Sequence, residues 1–287
     1  MASIEVADAE GTGKSQITAC GLLQRLAART WGEIRDGDER GIRVGEESIT
    51  DRLLLDISRS LPLPTKVIKW NRYQEGNFTG ADWDWWFVDL GRRQGVGLRI
   101  QAKRIEYFSE RFDALGHENR LGPQIDLLKK SAAEAGLHPL YCLYLASGKQ
   151  REGETRCGSY PSHQGPSNWT GSPAELYGCS LAGVVTVEIA ILEREENLDF
   201  FWPFLLPWSC MLCCERMKGS MLERIDSQVG RMQSFPYDRL PDLPESRITA
   251  ALPAEVWSVL EGGAVLDDVE PPQVGATMVT LVAEDEG

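Results

Sequence analysis

The spacing of hydrophobic positions changes several times along the chain, and each change marks an element. Over 16–34, QITACGLLQRLAARTWGEI, residues Leu22, Leu23, Leu26 and Ala27 recur at helical intervals. The charged, glycine-containing stretch IRDGDERGIRVG follows and predicts a loop. A second helix starts near Glu46, runs through EESITDRLLLDISRSL and ends before Pro62 and Pro64, which cannot continue it. The period then shortens to two. TKVIKW reads as a strand, and after the polar NRYQEGNFTG come two more, WDWWFVDL and VGLRIQAKRI, joined by the glycine-bearing GRRQG of a hairpin. GPQIDLLKKSAAEAG returns to a helical period, with Ile125, Leu128 and Ala132 on one face and Gly136 as its stop. PLYCLYLAS reads as a buried strand.

The order helix, strand, strand, strand, helix, strand predicts an α/β fold, a mixed central sheet flanked by helices. Residues 147–175 are rich in Gly, Ser and Pro and read as a loop or insertion. Beyond them LAGVVTVEIAIL fits strand or helix, FFWPFLLPWSCMLCC is apolar but broken by two prolines, and AEVWSVLEGG is a short helix. The last stretch, LDDVEPPQVGATMVTLVAEDEG, reads as an acidic tail with a disordered end. The chain therefore divides into a core over 1–146, the loop over 147–175, a C-terminal α/β extension packed on the core over 176–265, and the tail over 266–287.

Composition narrows the classes. With 287 residues and 42% hydrophobic content the chain can bury a substantial core. No apolar run reaches the roughly 18–20 residues that span a bilayer, and MASIEVADAEGTGKS lacks a basic region followed by an apolar one. That reads as a cytoplasmic protein with no membrane partner. Seven cysteines, an odd number scattered along the chain, suit reduced thiols better than a disulfide framework. The net charge of −13 counts against broad non-specific affinity for nucleic acid, so any polyanion-binding surface must be local. The densest basic group is Arg92, Arg93, Arg99, Lys103 and Arg104, which suits either a phosphate backbone or a solvated hairpin tip equally.

Strand alternation places candidate chemistry on the hairpin. Gln101 and Lys103 share one face, with Ile100, Ala102 and Arg104 on the other, and Asp82 and Asp84 share the face opposite Trp83, Trp85 and Phe87. Pairing the strands brings an Asp beside Gln101 and Lys103, with Asp82 preferred to Asp84. A carboxylate and an amide oxygen are hard ligands suited to Mg²⁺ or Mn²⁺, and a neighbouring lysine can orient water and stabilise charge on phosphoryl oxygens. At about 100° per residue, Ile49, Leu53 and Ile57 define the buried face of the second helix. Glu46 falls on that face and Glu47 near its edge, so Glu46 is the better-placed further acid. The expectation is that Asp82, the Gln101 side-chain oxygen and the Lys103 amine converge within reach of one hydrated ion.

An acid on a helix, Asp82 at the head of a strand and Gln101-Ala102-Lys103 on the next strand resemble the active-site signature of the PD-(D/E)XK nucleases. The Gln form is similar to the Mrr-like restriction endonucleases. GEESITD, GADWDWW, QAKR, QID, PLYCLY, GCSLA and PWSCMLCC together also resemble a family of uncharacterised bacterial proteins assigned to that superfamily. The resemblance covers roughly residues 30–147. It implies a restriction-endonuclease-like fold and a magnesium-dependent DNA nuclease acting in defence against foreign DNA, with Glu46, Asp82 and Gln101 holding the metal and Lys103 positioning the water. Gln124 corresponds to an accessory Gln that some members carry. Gln101 stands where most members have Asp or Glu, which weakens the metal site. The alternatives are therefore an inactive protein that binds nucleic acid or a protein partner through the same groove, or an RNase. A homo-oligomer is compatible with each.

Other motifs carry blander readings. Gly13-Lys14-Ser15 ends like a phosphate loop, but the motif's first glycine would fall at position 8, an Asp, with no strand before it. Cys210, Cys213 and Cys214, with Cys179, Cys157 or His163, form half of a zinc pattern within strongly apolar flanks, which favour buried thiols over a structural zinc site. His117 and His138 are single histidines suited to surface or loop positions, and Trp83, Trp85 and Trp86 suit a core better than base stacking.

Overall fold

A computed structural model describes residues 18–70, 78–151, 172–213, 218–233, 245–261 and 273–282. The glycine-lysine-serine motif, most of the 147–175 loop with Cys157 and His163, and Cys214 lie outside the described residues.

Two helices come first, α1 (Ala19–Glu39) and α2 (Glu46–Ser60). The strands β1 (Thr65–Lys69), β2 (Trp83–Asp89) and β3 (Gln94–Glu106) follow. Three two-residue strands, β4 (Arg111–Phe112), β5 (Glu118–Asn119) and β6 (Gly122–Pro123), lead to α3 (Gln124–Glu134) and β7 (His138–Tyr144). Next come β8 (Cys179–Gly183), α4 (Val184–Glu193), α5 (Leu198–Phe201), β9 (Leu206–Pro207), α6 (Cys210–Cys213), α7 (Met221–Met232), α8 (Ala254–Glu261) and β10 (Ala276–Leu281). The main sheet has eight strands in the order β1-β10-β2-β3-β7-β8-β9, with β4 paired to β3. It is mixed: β10 with β2 and β3 with β7 are parallel, and the other main pairs antiparallel. This is the expected α/β class.

Alternation along β2 separates two cores. Trp85 and Phe87 join Leu98, Ile100, and Leu53 and Ile57 of α2, while Trp86 and Val88 join Ala132 of α3 and Val256 and Val259 of α8. Trp83, Trp85 and Trp86 are all buried, as core residues should be. Gly97 sits opposite Trp86 in the register, where a Cβ would run into the indole ring and Leu137. On α3 the buried residues are Ile125, Leu128 and Ala132, the face that the periodicity indicates.

Several expectations change. Helix α1 continues to Glu39 and absorbs half of the predicted loop. LAGVVTVEIAIL is both strand and helix, turning from β8 into α4 at Gly183. Helix α7 has no counterpart in the sequence reading, although Ser220 and Glu223 form a capping box at its start. The largest correction concerns the tail. Ala276–Leu281 lies inside the sheet between β1 and β2, with Thr277 and Thr280 accepting hydrogen bonds from the indoles of Trp70 (2.9 Å) and Trp85 (3.0 Å). Those two partners let polar residues occupy a buried strand. Among the described residues no helix is long and apolar enough to cross a membrane.

Candidate active site

The site forms where β3 outruns β2. Strand β2 starts at Trp83 opposite Ile100, so from Gln101 to Arg104 the β2 side of β3 has no strand hydrogen-bonded to it. Carboxylates fill the ladder instead. Asp82 donates its own N–H to Ile100 O (2.9 Å), and its Oδ2 accepts the Ala102 N–H (2.6 Å). Glu46 Oε2, from the first turn of α2, accepts the next outward N–H, that of Arg104 (2.7 Å). Amides two residues apart on a strand are separated by about 7 Å, so the two acids flank one short edge. Lys103 lies between them in the chain, on the Gln101 face.

Asp82 is placed by backbone. Gly80, at φ +66°, packs so closely on the start of α3 that a Cβ would meet Gln124 O. The Asp82 carbonyl then accepts from Gly275 (2.8 Å) and Ala276 (3.2 Å) at the head of β10. Glu46 and Asp82 both line a cavity of about 530 Å³, shared with Glu47, Asp51, Lys69 and the stretch 273–276. Burial pushes the Glu46 carboxyl above its ordinary value, against the opposing pull of Lys103, the Arg104 amide and the charges of Arg43 and Arg104. Lys103 is buried, its charge acts on Glu46, and among the described residues no hydrogen bond or ion pair ties its amine down.

Gln101 meets Asp82, but with its nitrogen. Its Nε2 donates to Asp82 Oδ2 (2.6 Å) and to Ala102 O (2.8 Å), while its Oε1 accepts from Gln124 Nε2 (2.7 Å). Two acceptors on one side match an amino group there, and the donor of Gln124 matches the oxygen on the other. The expectation of a Gln101 oxygen converging on the metal position is therefore not met in this arrangement. Asp82, Gln101 and Gln124 are brought together as expected, and Glu47 is exposed on the cavity wall.

The other acid and the basic cluster have different roles. Asp84 lies fully inside the sheet, its two oxygens held by Arg99 Nε (2.9 Å) and Nη2 (2.8 Å), so it is a buried ion-pair partner and not an accessory ligand. Arg99 also donates to Ser131 O (2.9 Å), which leaves it unable to reach a nucleic acid. Arg104 is likewise buried, paired with Asp38 and donating to Ile105 O. Arg92 and Arg93 are exposed on the hairpin turn, at the far end of β2 from Asp82, and Arg93 lies 5.9 Å over Trp257. Seven residues at about 3.3 Å each put that turn about 20 Å from the site. The basic cluster is thus dispersed by the fold.

Residues that the sequence reading passed over also matter. Asp38 is a third carboxylate on the β3 segment, holding Arg104 and accepting the Tyr107 N–H (3.2 Å). Arg43 is exposed, paired with Asp113 (3.1 Å), and close enough to act on Glu46. Tyr141, the register neighbour of Gln101 on β7, is fully buried with a hydroxyl that lacks a partner among the described residues, and burial near Asp82 and Asp126 raises its pKa. Only the position of Arg43, three before Glu46, offered a signal. His117 is exposed in a loop, but His138 corrects its expected surface role: it opens β7, buried, with Nε2 2.7 Å from Asp226 Oδ1.

Two carboxylates backed by an unanchored lysine suit a hard cation that keeps several waters. Among the described residues no group of three or more His, Cys, Asp and Glu could hold a metal ion, and Cys20, Cys142, Cys179 and Cys210 are buried. Comparison with protein families matches residues 19–287 to a family of unknown function (DUF6615). No curated protein and no solved structure matches the chain.

Proposed function

The chain belongs to DUF6615, and we propose that it is a metal-dependent endonuclease of the PD-(D/E)XK kind that hydrolyses DNA phosphodiester bonds in defence against foreign DNA. One observation supports this reading above the others: Glu46 and Asp82, from separate elements, occupy consecutive outward amides of β3 on either side of Lys103 and line one cavity. Glu46 and Asp82 would hold Mg²⁺ or Mn²⁺, whose charge neutralises a phosphate and acidifies a bound water. The chain's own groups do the rest. The Ala102 and Arg104 amides fix the two carboxylates, and the Lys103 amine, free to donate, orients the attacking water and meets charge growing on the phosphoryl oxygens.

A second reading is binding of nucleic acid or a partner without cleavage, and it is favoured by Gln101, which offers Asp82 a donor in place of a third oxygen. Incubating the purified protein with plasmid DNA and with a structured RNA, each with Mg²⁺ or Mn²⁺, tests both. We expect DNA nicking that Asp82→Asn and Lys103→Met abolish. RNA cleavage with the same dependence would make it an RNase, and retarded but intact DNA would leave the binding reading.

A further inference from the structure

The hydrogen bonds around Gln101 form a short relay with a defined sense. Gln124 Nε2 donates to Gln101 Oε1 at 2.7 Å, and Gln101 Nε2 donates onward to Asp82 Oδ2 at 2.6 Å and Ala102 O at 2.8 Å. A glutamine amide has a donor end and an acceptor end, so the end that Gln124 presents dictates the end that Gln101 presents to Asp82. In this sense Gln124 Oε1 is buried without a partner among the described residues. Turning both amides over would hand Gln124 Oε1 the Gln101 amino group. It would also bring Gln101 Oε1 against Asp82 Oδ2 and Ala102 O. Three oxygens with no hydrogen between them repel unless a cation lies among them.

We propose that Gln124 is a positioning residue that sets the hydrogen-bonding sense of Gln101, and through it whether Asp82 faces a competing donor or a second oxygen. The cation part rests on the metal site proposed above, whereas the amide part stands on the hydrogen bonds alone. In the sense described here Gln101 clamps Asp82 and competes with a cation for its oxygen. A bound cation favours the reversed sense, in which Gln101 adds an oxygen of its own. The neutral Gln101 thereby makes cation binding dependent on Gln124, which acts through its bond to Gln101.

Substitutions at 124 that can only accept or only donate should act in opposite directions. Gln124→Glu accepts only, so it draws the Gln101 amino group to itself and leaves the oxygen toward Asp82. We expect it to tighten Mn²⁺ binding, titrated calorimetrically, about tenfold, and Gln124→Lys, a donor only, to weaken it by a similar factor, the scale of groups that orient metal ligands. Added charge alone would give the same signs. In a Gln101→Leu background the relay has no middle member, and both effects should shrink to the small remainder due to charge. A second readout needs no metal: the Gln101 side-chain NH₂ protons and the Ala102 amide proton point at the same Asp82 oxygen. They should show a nuclear Overhauser effect in the wild type that disappears in Gln124→Glu.

Effects at 124 that persist undiminished without Gln101, or an Overhauser effect that survives Gln124→Glu, overturn the relay. Failure of every variant and the wild type to bind Mn²⁺, with the Overhauser effect behaving as described, removes the metal site and keeps the relay's amide part.

Discussion

Glu46 takes the amide proton of Arg104 at 2.7 Å, and so ties the first turn of α2 to the open edge of β3 two residues beyond the amide that Asp82 holds. A strand edge left unpaired would expose donors to any passing acceptor. Here the carboxylates occupy it, which makes the edge both stable and anionic.

Glu46→Gln separates those two properties. The amide oxygen can still accept from Arg104, but the charge is gone. Burial raises the Glu46 pKa, so the folded protein holds this proton more tightly than the unfolded chain. That lowers stability as pH rises from the ordinary carboxylate value through the raised one. The substitution removes this penalty, and we expect the melting temperature at neutral pH to be unchanged or higher while cleavage falls at least about 100-fold. Cleavage by the wild type should decline on acidification at a pH above the ordinary carboxylate range, because the ionised form is the competent one. Lys103, Arg43 and Arg104 supply the charges that oppose the shift, so Arg43→Gln should move that limb further up. A pH–rate profile unaffected by Arg43→Gln would count against Glu46 as the titrating group.

Asp84 gives the opposite pattern. Its carboxylate and the Arg99 guanidinium are both buried and joined by two hydrogen bonds. Removing one member of such a pair leaves the other charge uncompensated, at a cost of about 3–5 kcal/mol. Asp84→Asn should therefore lower the urea midpoint sharply, with Mn²⁺ affinity of the remaining folded protein unchanged. Weakened metal binding at wild-type stability would restore Asp84 as a ligand.

Strand β10 makes a third test, of chain ends. A protein ending after Val282 keeps every described strand, whereas one ending after Leu266 loses a strand whose Met278 and Val279 are buried between β1 and β2 and whose first residues support the Asp82 carbonyl. We expect a native circular dichroism melt for the first and none for the second. Cooperative melting of the shorter chain would show that the sheet closes without β10.

These cases also mark what the sequence could carry. Asp82 beside Gln101, and Ile125, Leu128 and Ala132 on the inner face of α3, follow from local periods of two and 3.6 and are legible without a structure. The position of Ala276–Leu281 is not, since a parallel partner nearly 200 residues away leaves no mark on the strand's own pattern, and the acidic residues around it suggest a tail. Arg99 and Arg104 fail differently. Parity places them on opposite faces, but only the packing of α3 and α1 shows that Arg99 reaches the Ser131 carbonyl and Arg104 meets Asp38. The sense of the Gln101 amide lay further still from the sequence, because Asp82 and Ala102 at one end and Gln124 at the other all bear on it.

Dispersal of the basic cluster sets the last prediction, on how the protein meets DNA. The chain carries 43 acidic against 30 basic residues, and of the five clustered cations Arg99 and Arg104 are buried in ion pairs. Arg92 and Arg93 lie about 20 Å from Asp82 along β2, beyond a Debye length at physiological salt. Arg43 stands nearer the acids, exposed and paired at the surface with the exposed Asp113. Each phosphate contact contributes about 0.9 to the slope of log affinity against log salt. We therefore expect duplex binding in the non-specific range, about 1–100 µM at physiological salt, with a shallow slope. Arg92→Ala with Arg93→Ala should leave it unchanged, while Arg43→Ala should weaken it and reduce the slope by about 1. Fluorescence anisotropy with a labelled duplex at several salt concentrations measures all three. Nanomolar affinity with a steep slope, lost on changing Arg92 and Arg93, would mean that DNA lies along the hairpin turn and that the cavity beside Glu46 is not where it is held.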